Sequence, residues 1–414
     1  MILCLRAVEP AHPLNQSQSQ KVPVFGKSSI MQHPSPPSAY PVRPVVTTFA
    51  PYSPGLSLQE IRKAYQLSHV IKLASNENPL GASPLVQQSI AREAPVVFRY
   101  PRSGNPELIH ELAKALGVDP ARLIAGNGSD ELIDLLLRVV GLPGENNVVL
   151  LEPSFSIYRM QAELSGLDVR RVPLNSDFSF PWRALEQNMD ERTAFVFLTN
   201  PDNPSGHATS ARRILRFAEN LPEQALLVLD EAYIDFAEDP DSLSPLKHME
   251  ETDNLVLLRT FSKLYGLAGL RLGYGIMPPW LAELVQRIKL PFSVNILAEK
   301  AGIAALRDTV FRSMTRETVL DQRRELASRL TDLGCCVYPS QANFLMFQPP
   351  MDAQTLHRRL LEKGIIVRPL NSYGLSEYLR VSIGREDENL AFLDALQRIV
   401  ADESEKTADS ARNG

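Results

Sequence analysis

The sequence predicts an α/β protein with a large, doubly wound, mostly parallel sheet and a smaller α+β domain. Helical patterns, such as Asp130 to Val140 and Ser210 to Glu219, alternate with short apolar runs, which is typical of doubly wound folds. Each run is long enough for a strand that is buried on both faces under covering helices. The four clearest runs are 147–151, 194–198, 225–229 and 255–258.

The smaller domain is predicted from a change of pattern after Pro291. A helical stretch covers roughly residues 296–333, and strand candidates follow at 336–338, 344–347, 364–367 and 378–382. We therefore expect a segment at 49–84 that packs with the small domain, a large domain at 85–295 and the small domain at 296–400. Residues 1–48 are rich in Pro, Ser and Gln and are predicted to be disordered, and 401–414 to form a flexible tail. A transit peptide or an over-extended start are open alternatives for residues 1–30.

The composition argues against several classes of protein. A net charge of -5, with scattered lysines and arginines, gives no support for a nucleic-acid or anionic-membrane partner. No apolar run approaches the roughly 20 residues that cross a bilayer. The cysteines, Cys4, Cys335 and Cys336, have the spacing of neither a disulfide framework nor a zinc site. We expect a cytoplasmic protein without a metal.

Polar motifs follow the apolar runs, where ligands bind in open α/β sheets. After residues 123–127 the chain turns into a helix, and the amides of Ser129 and Asp130 at its start could bind phosphate oxygens. The loop Asn200-Pro-Asp-Asn-Pro-Ser-Gly206 contains two stiffening Asn-Pro pairs. Its Asn203 could donate to a phenolic oxygen on a bound ring. Taken alone, each segment also fits an ordinary turn.

Asp230 and Tyr233 follow the next run, in Asp230-Glu-Ala-Tyr233. A carboxylate at the lip of a buried strand is costly unless a cation meets it, and a protonated pyridine nitrogen would be such a cation. This pair would keep the ring electron-withdrawing. Tyr233 could donate to the same ring oxygen as Asn203. The alternative is a structural aspartate that caps the next helix.

Lys263 lies in Thr260-Phe-Ser-Lys263, and Arg271 follows eight residues later. A lysine amine condenses with an aldehyde when it is held close and partly desolvated, and an arginine fork suits a phosphate. Ser262 and Arg271 complete a phosphate clamp, with Thr260 a weaker candidate. A lone lysine in a loop is usually a solvated charge. The ordered occurrence of four such segments favours a site for a phosphorylated aldehyde cofactor.

These motifs resemble those of the fold-type I pyridoxal-phosphate aminotransferases, and they occur in the same order. More narrowly, the chain resembles the histidinol-phosphate aminotransferases from about Phe49 to Val400, through motifs such as Ala50-Pro-Tyr-Ser-Pro-Gly55 and Phe98-Arg-Tyr-Pro101. The resemblance implies pyridoxal 5'-phosphate as cofactor. It also implies an exchange of the amino group between L-histidinol phosphate and 2-oxoglutarate in histidine biosynthesis, which gives imidazole-acetol phosphate and glutamate.

The resemblance implies roles around the cofactor. Lys263 would bond to the cofactor aldehyde and shuttle protons, Asp230 would pair with the pyridinium nitrogen, and Tyr233 and Asn203 would hold the ring oxygen. Phe155 would stack on the ring. The residues expected around the phosphate are Ser129, Asp130, Ser262, Arg271 and, from the second subunit of a homodimer, Tyr100.

The resemblance also implies a substrate site. Arg380 would bind a carboxylate or distal anion, while Arg368 and Tyr52 would contribute to the substrate phosphate site. Asn76 would lie near the substrate carboxylate. Two arginines in one pocket would suit both a phosphomonoester and the second carboxylate of glutamate.

Three other functions are weighed against this one. An aromatic amino-acid aminotransferase would share the whole cofactor site, so the sequence separates it poorly. A threonine-phosphate decarboxylase would share the phosphate-binding arginines but release carbon dioxide. A transcriptional regulator with an aminotransferase-like domain would need an N-terminal helix-turn-helix, for which residues 1–48 are too rich in proline.

Overall fold

The structure, a computed structural model, describes residues 41–49 and 58–412. The chain divides into two compact units, Met1–Thr48 and Phe49–Gly414. In the first unit, the described residues contain one short helix, α1 (Pro44–Thr48). The motif at residues 50–55, with its candidate Tyr52, lies outside the described residues.

Strands of the second unit form two sheets, one of seven strands and one of five. The strands are β1 (Ile71–Leu73), β2 (Leu123–Asn127), β3 (Asn147–Glu152), β4 (Asp168–Pro173), β5 (Thr193–Thr199), β6 (Leu226–Asp230), β7 (Leu255–Thr260), β8 (Leu272–Ile276), β9 (Cys336–Val337), β10 (Phe344–Gln348), β11 (Ile365–Leu370) and β12 (Leu375–Ser382). The order in the large sheet is β2-β8-β7-β6-β5-β3-β4, and in the small sheet it is β1-β11-β12-β10-β9.

Helices cover the strands and connect them. Most are amphipathic and begin after a Pro, Ser, Asp or Asn, as helix starts commonly do. The helices of the second unit are α2 (Leu58–Tyr65), α3 (Pro84–Glu93), α4 (Pro106–Leu116), α5 (Gly128–Val140), α6 (Ser156–Leu164), α7 (Trp182–Gln187), α8 (Ala211–Glu219), α9 (Pro240–Leu243), α10 (Pro279–Ile288), α11 (Ile296–Arg307), α12 (Thr309–Asp332), α13 (Ala353–Glu362) and α14 (Glu386–Arg412).

The four predicted apolar runs are the central parallel strands β3, β5, β6 and β7 of the large sheet. They are buried on both faces, as the continuous apolar pattern predicts. Strand β8 is not predicted. It runs antiparallel between β2 and β7, and its Gly273 and Gly275 interrupt the usual apolar pattern. A fold with a large and a smaller domain is thus confirmed.

The small sheet is antiparallel except where β1 pairs in parallel with β11. The long predicted helix at 296–333 is in fact two helices, α11 and α12. Asp308 leaves the helical conformation between them, with φ -85° and ψ 71°, and its side chain caps α12 by accepting from the backbone N of Phe311 at 3.1 Å.

Helix α14 continues to Arg412, so the tail predicted from Ala401 onward is helical as far as that residue. The start of this extension is attached to α13, because Arg359 donates to the carbonyl of Ile399 at 3.2 Å and to Asp402 at 2.6 Å. The polar composition that suggested a tail is therefore the composition of a helical segment. Within residues 41–49 and 58–412, no helix has the length and apolar character to span a membrane.

Candidate active site

The candidate active site lies at the carboxyl ends of three adjacent parallel strands. Asn203 follows β5, Asp230 is the last residue of β6, and Lys263 follows β7. Parallel neighbours end at the same edge of a sheet, so the fold brings these residues together. β4 lies on one side of β3 and β5 on the other, and this reversal of strand order marks the usual ligand crevice of doubly wound sheets.

Lys263 is half-buried beside the ring of Tyr233, with Nζ 5.6 Å from the ring centroid. Its amine donates to the carbonyl of Ser75 at 3.2 Å. Burial, and next the positive charge of Arg380, lower the pKa of Lys263 from 10.5 to about 8. A neutral amine is therefore accessible near neutral pH, as condensation with an aldehyde requires.

Asp230 is a buried carboxylate with no cation bonded to it among the described residues. It accepts from the hydroxyl of Tyr158 at 2.7 Å and from the backbone N of Ala232 at 3.0 Å. Tyr158 has one proton, so Thr199, 2.9 Å from the same oxygen, donates to it. Burial raises the pKa of Asp230 to about 6. A protonated ring nitrogen would supply the missing positive charge.

Arg271 and the start of α5 form a site for an anion. Nη1 of Arg271 lies 3.3 Å from Oγ of Ser262, and Nη2 lies 3.2 Å from Oδ2 of Asp130. The amides of Ser129 and Asp130, near the start of α5, have no acceptor within the helix, whereas the amide of Gly128 donates to the carbonyl of Arg271 at 2.9 Å. The hydroxyl of Thr260 already has a partner within the protein, because its oxygen accepts from the backbone N of Ser262 at 3.0 Å. Positive charge and free amides at one helix start suit a phosphate.

Asn203 and Tyr233 are each held by one polar partner. Oδ1 of Asn203 accepts from Nη1 of Arg380, which leaves the amide nitrogen of Asn203 free to donate to a ligand. The hydroxyl oxygen of Tyr233 accepts from Nδ2 of Asn76 at 3.1 Å. Arg380 also donates to the carbonyl of Ala74 at 3.2 Å. The hydroxyl of Tyr233 and the buried guanidinium of Arg380, which holds Asn203, therefore lie near the amine of Lys263.

The model of the aminotransferase class I and II family matches residues 68–396. The chain belongs to this family. The chain is 53% identical over 359 residues to the histidinol-phosphate aminotransferase of Nitratidesulfovibrio vulgaris, covering 87% of this chain and 96% of that protein. It is 51% identical to the same enzyme of Oleidesulfovibrio alaskensis, covering 86% and 94%. The crystal structure of histidinol-phosphate aminotransferase from Sinorhizobium meliloti in complex with pyridoxal-5'-phosphate matches with a TM-score of 0.79 at 28% identity, covering 89% of this chain and 99% of that one.

Three other predicted residues of this aminotransferase lie on elements away from the strand ends that carry Lys263 and Asp230. Phe155 precedes α6, and its ring meets that of Tyr158 edge to face at 5.5 Å. Arg368 lies directly opposite Arg380 in the antiparallel pair of β11 and β12, so both side chains leave the same face of the sheet. Tyr100 is 81% exposed, with its ring stacked 4.7 Å from that of Phe292.

Sequence reasoning missed several residues that support the aminotransferase site. Tyr158 lies three positions after Phe155, which is the spacing of two residues on one face of a helix. That spacing could have identified Tyr158. Ser382 and Asn343 gave no such signal. Both hydrogen-bond to Asn76, which is more than 260 positions away in the chain. No local pattern reports contacts of that range.

Gly273 is expected to be essential for the anion site of this aminotransferase. A Cβ at this position would lie 2.5 Å from the backbone N of Ser129, whereas a Cβ at Gly269 would meet nothing within 4 Å. We expect Gly273→Ala to lower the free energy of unfolding by about 1–3 kcal/mol through overpacking. It should also weaken pyridoxal-phosphate binding about tenfold or more. Chemical unfolding and cofactor titration would measure both, with Gly269→Ala as the matched control. Wild-type cofactor affinity in Gly273→Ala would contradict this account.

Proposed function

We propose that this enzyme transfers the amino group of L-histidinol phosphate to 2-oxoglutarate with pyridoxal 5'-phosphate as cofactor. The observation that carries the substrate is the 53% identity to a histidinol-phosphate aminotransferase over 96% of that protein. The cofactor fits the site. The buried carboxylate of Asp230, which has no cation bonded to it among the described residues, would meet the protonated ring nitrogen. Lys263, whose pKa is lowered, would react with the aldehyde, and Arg271 with the amides of Ser129 and Asp130 would hold the phosphate.

The residues divide the chemistry between them. Bound pyridoxal phosphate supplies a cationic ring that withdraws electrons from the substrate α-carbon. Asp230 would hold a proton on the ring nitrogen, and the amide of Asn203 and the hydroxyl of Tyr233 would donate to the ring oxygen. The neutral Nζ of Lys263 would take the proton from the α-carbon of the amino donor. In the second half of the exchange, Nζ would return a proton to the α-carbon that comes from 2-oxoglutarate. Its lowered pKa of about 8 suits both directions.

The cofactor phosphate would be bound by Arg271, by the hydroxyl of Ser262 and by the amides of Ser129 and Asp130. The carboxylate of Asp130 is already paired with Arg271, and burial raises its pKa. We infer that Asp130 contributes its backbone amide rather than its side chain. Its carboxylate would then orient the arginine fork.

Arg368 is proposed to bind the phosphate of the substrate, next to Arg380. We expect Arg368→Ala to lower kcat/KM for histidinol phosphate about 100-fold, because a phosphate would lose a charged partner worth about 2–5 kcal/mol. The loss for glutamate should stay below about fivefold. Steady-state kinetics with both amino donors would test this. Arg358→Ala, an exposed arginine on α13, is the control. Equal losses for the two donors would remove Arg368 from the phosphate site.

The alternative functions are less supported than this one. Assays of histidinol phosphate, phenylalanine, tyrosine and threonine phosphate, each with 2-oxoglutarate, would separate them. Turnover of the aromatic acids with inert histidinol phosphate would favour an aromatic amino-acid aminotransferase. Carbon dioxide released from threonine phosphate would favour the decarboxylase.

A homodimer with shared active sites is part of the proposal. The ring of Tyr100 stacks on that of Phe292, which is 41% exposed, and Phe98, two positions before Tyr100, is 75% exposed. Large exposed apolar patches often mark interfaces. Tyr100 would reach the cofactor phosphate of the partner subunit. Sedimentation of the purified enzyme as a monomer would contradict this arrangement. The cytoplasmic location expected from the cysteines stays a prediction.

A further inference from the structure

Strand β12 is linked to both proposed donors to the ring oxygen of the cofactor. It carries Arg380 and Ser382, which are two positions apart and therefore project from the same face. Arg380 donates directly to Asn203. Ser382 instead hydrogen-bonds to Asn76, and Asn76 donates to Tyr233. The second link, from Ser382 through Asn76 to Tyr233, contains hydrogen bonds that the motifs of the family do not reveal.

The hydroxyl of Ser382 makes two hydrogen bonds to the same residue. Its oxygen accepts from the backbone N of Asn76 at 2.8 Å, and its proton goes to Oδ1 of Asn76 at 3.0 Å. A backbone N–H can only donate, so the hydroxyl proton is the one available to Oδ1. Ser382 is buried, which leaves water little access. Together, these two hydrogen bonds fix the orientation of the Asn76 side-chain amide, with its Oδ1 toward Ser382.

The opposite end of the amide faces Tyr233. Nδ2 of Asn76 donates to the hydroxyl oxygen of Tyr233 at 3.1 Å. Asn76 has a φ of 54°, which asparagine tolerates better than most residues. Its backbone carbonyl accepts from Nδ2 of Asn343 at 3.0 Å. An amide nitrogen offers no lone pair to a donor. The proton of the Tyr233 hydroxyl must therefore go to another acceptor.

We propose that Ser382 is a positioning residue, which directs the hydroxyl proton of Tyr233 toward the ring oxygen of the cofactor by fixing the orientation of the Asn76 amide. The proposal rests on the proposed function, because it requires pyridoxal phosphate in the site. A donated proton stabilises the ionised ring oxygen. Without Ser382, the amide of Asn76 is free to rotate, and its Oδ1 then competes for the Tyr233 proton.

The test is a pH titration of the visible absorption of the purified enzyme with bound cofactor and without substrate. In Ser382→Ala the midpoint should rise by about half a pH unit or more, since the ionised ring oxygen loses part of a hydrogen bond. Ser382→Thr keeps the hydroxyl and should restore the wild-type midpoint. Ser89→Ala is the matched control, because it removes a buried hydroxyl that bonds only to the carbonyl of Lys300 among the described contacts.

A double variant separates amide orientation from a general loosening of the site. In Ser382→Ala/Asn76→Gly the competing oxygen is gone, and glycine accepts the left-handed backbone. The midpoint should return toward the wild-type value. An unshifted midpoint in Ser382→Ala, or one that stays high in the double variant, overturns the proposal while the cofactor assignment stands. A wild-type enzyme without any cofactor band overturns the cofactor assignment and the proposal with it.

Discussion

Lys263→Ala is expected to lower kcat by about 10⁴-fold or more while the protein still folds and binds pyridoxal phosphate. The lysine is the only amine that the structure places beside Tyr233 among the described residues, and removing a general base alone costs about 10²–10⁴-fold. Loss of the covalent link to the cofactor adds to that cost. The phosphate clamp at Arg271 does not depend on this side chain, so reversible cofactor binding should persist.

Single-turnover kinetics and absorption spectra would measure these effects, with Lys247→Ala as the control. Lys247 is an exposed lysine that pairs with Asp241 at 2.6 Å. In cofactor-free wild-type protein, reaction of Lys263 with a small aldehyde should increase as the pH rises through about 8, since the lowered pKa makes the amine neutral above that value. Substantial turnover by Lys263→Ala would remove this residue from the centre of the mechanism.

Asp230→Asn is expected to lower kcat by about 10³-fold with little change in stability. The asparagine oxygen could accept from the backbone N of Ala232, and its amide nitrogen could donate to the hydroxyl of Tyr158. Tyr158 would then donate to Thr199, so the geometry is largely kept. The negative charge is lost, however, and the ring nitrogen would no longer stay protonated. The effect should fall on kcat much more than on cofactor affinity.

Asp202→Asn provides a matched control for that charge. Asp202 is also buried, and burial raises its pKa to about 6, but its carboxylate accepts from Ser205 at 2.5 Å within its own loop. We expect less than about a fivefold change in kcat for this variant. Similar losses in Asp202→Asn and Asp230→Asn would show that any buried charge in the region matters, and would argue against a specific pairing with the ring nitrogen.

Much of the site was predictable because its residues follow consecutive parallel strands. A buried parallel strand reads as a continuous apolar run, and the residue after it stands at the ligand edge of the sheet. The proximity of Asn203, Asp230 and Lys263 can therefore be predicted from local sequence patterns alone. The same logic predicts a phosphate site at the helix start after β2.

The features that escaped prediction depend on partners far away in the chain. The strand β8 contains two glycines, and one of them is explained only by its approach to Ser129 on another element. The break at Asp308 follows from a cap rather than from a helix-breaking residue. Arg271 has a left-handed backbone, with φ 55°, which no local pattern at that position announces. Such choices are set by tertiary packing, which overrides local propensity.

The pairing of β1 with β11 has a consequence for the order of events during synthesis. The segment that supplies the Ser75 carbonyl and Asn76 meets Ser382 across 306 positions of the chain. Chains emerge from the ribosome N-terminus first, and contacts of such long range form late. Lys263, the residue proposed to react with the cofactor aldehyde, leaves the ribosome long before β12 does. Lys263, the proposed catalytic lysine, therefore has its full set of neighbours only after β12 has been synthesised.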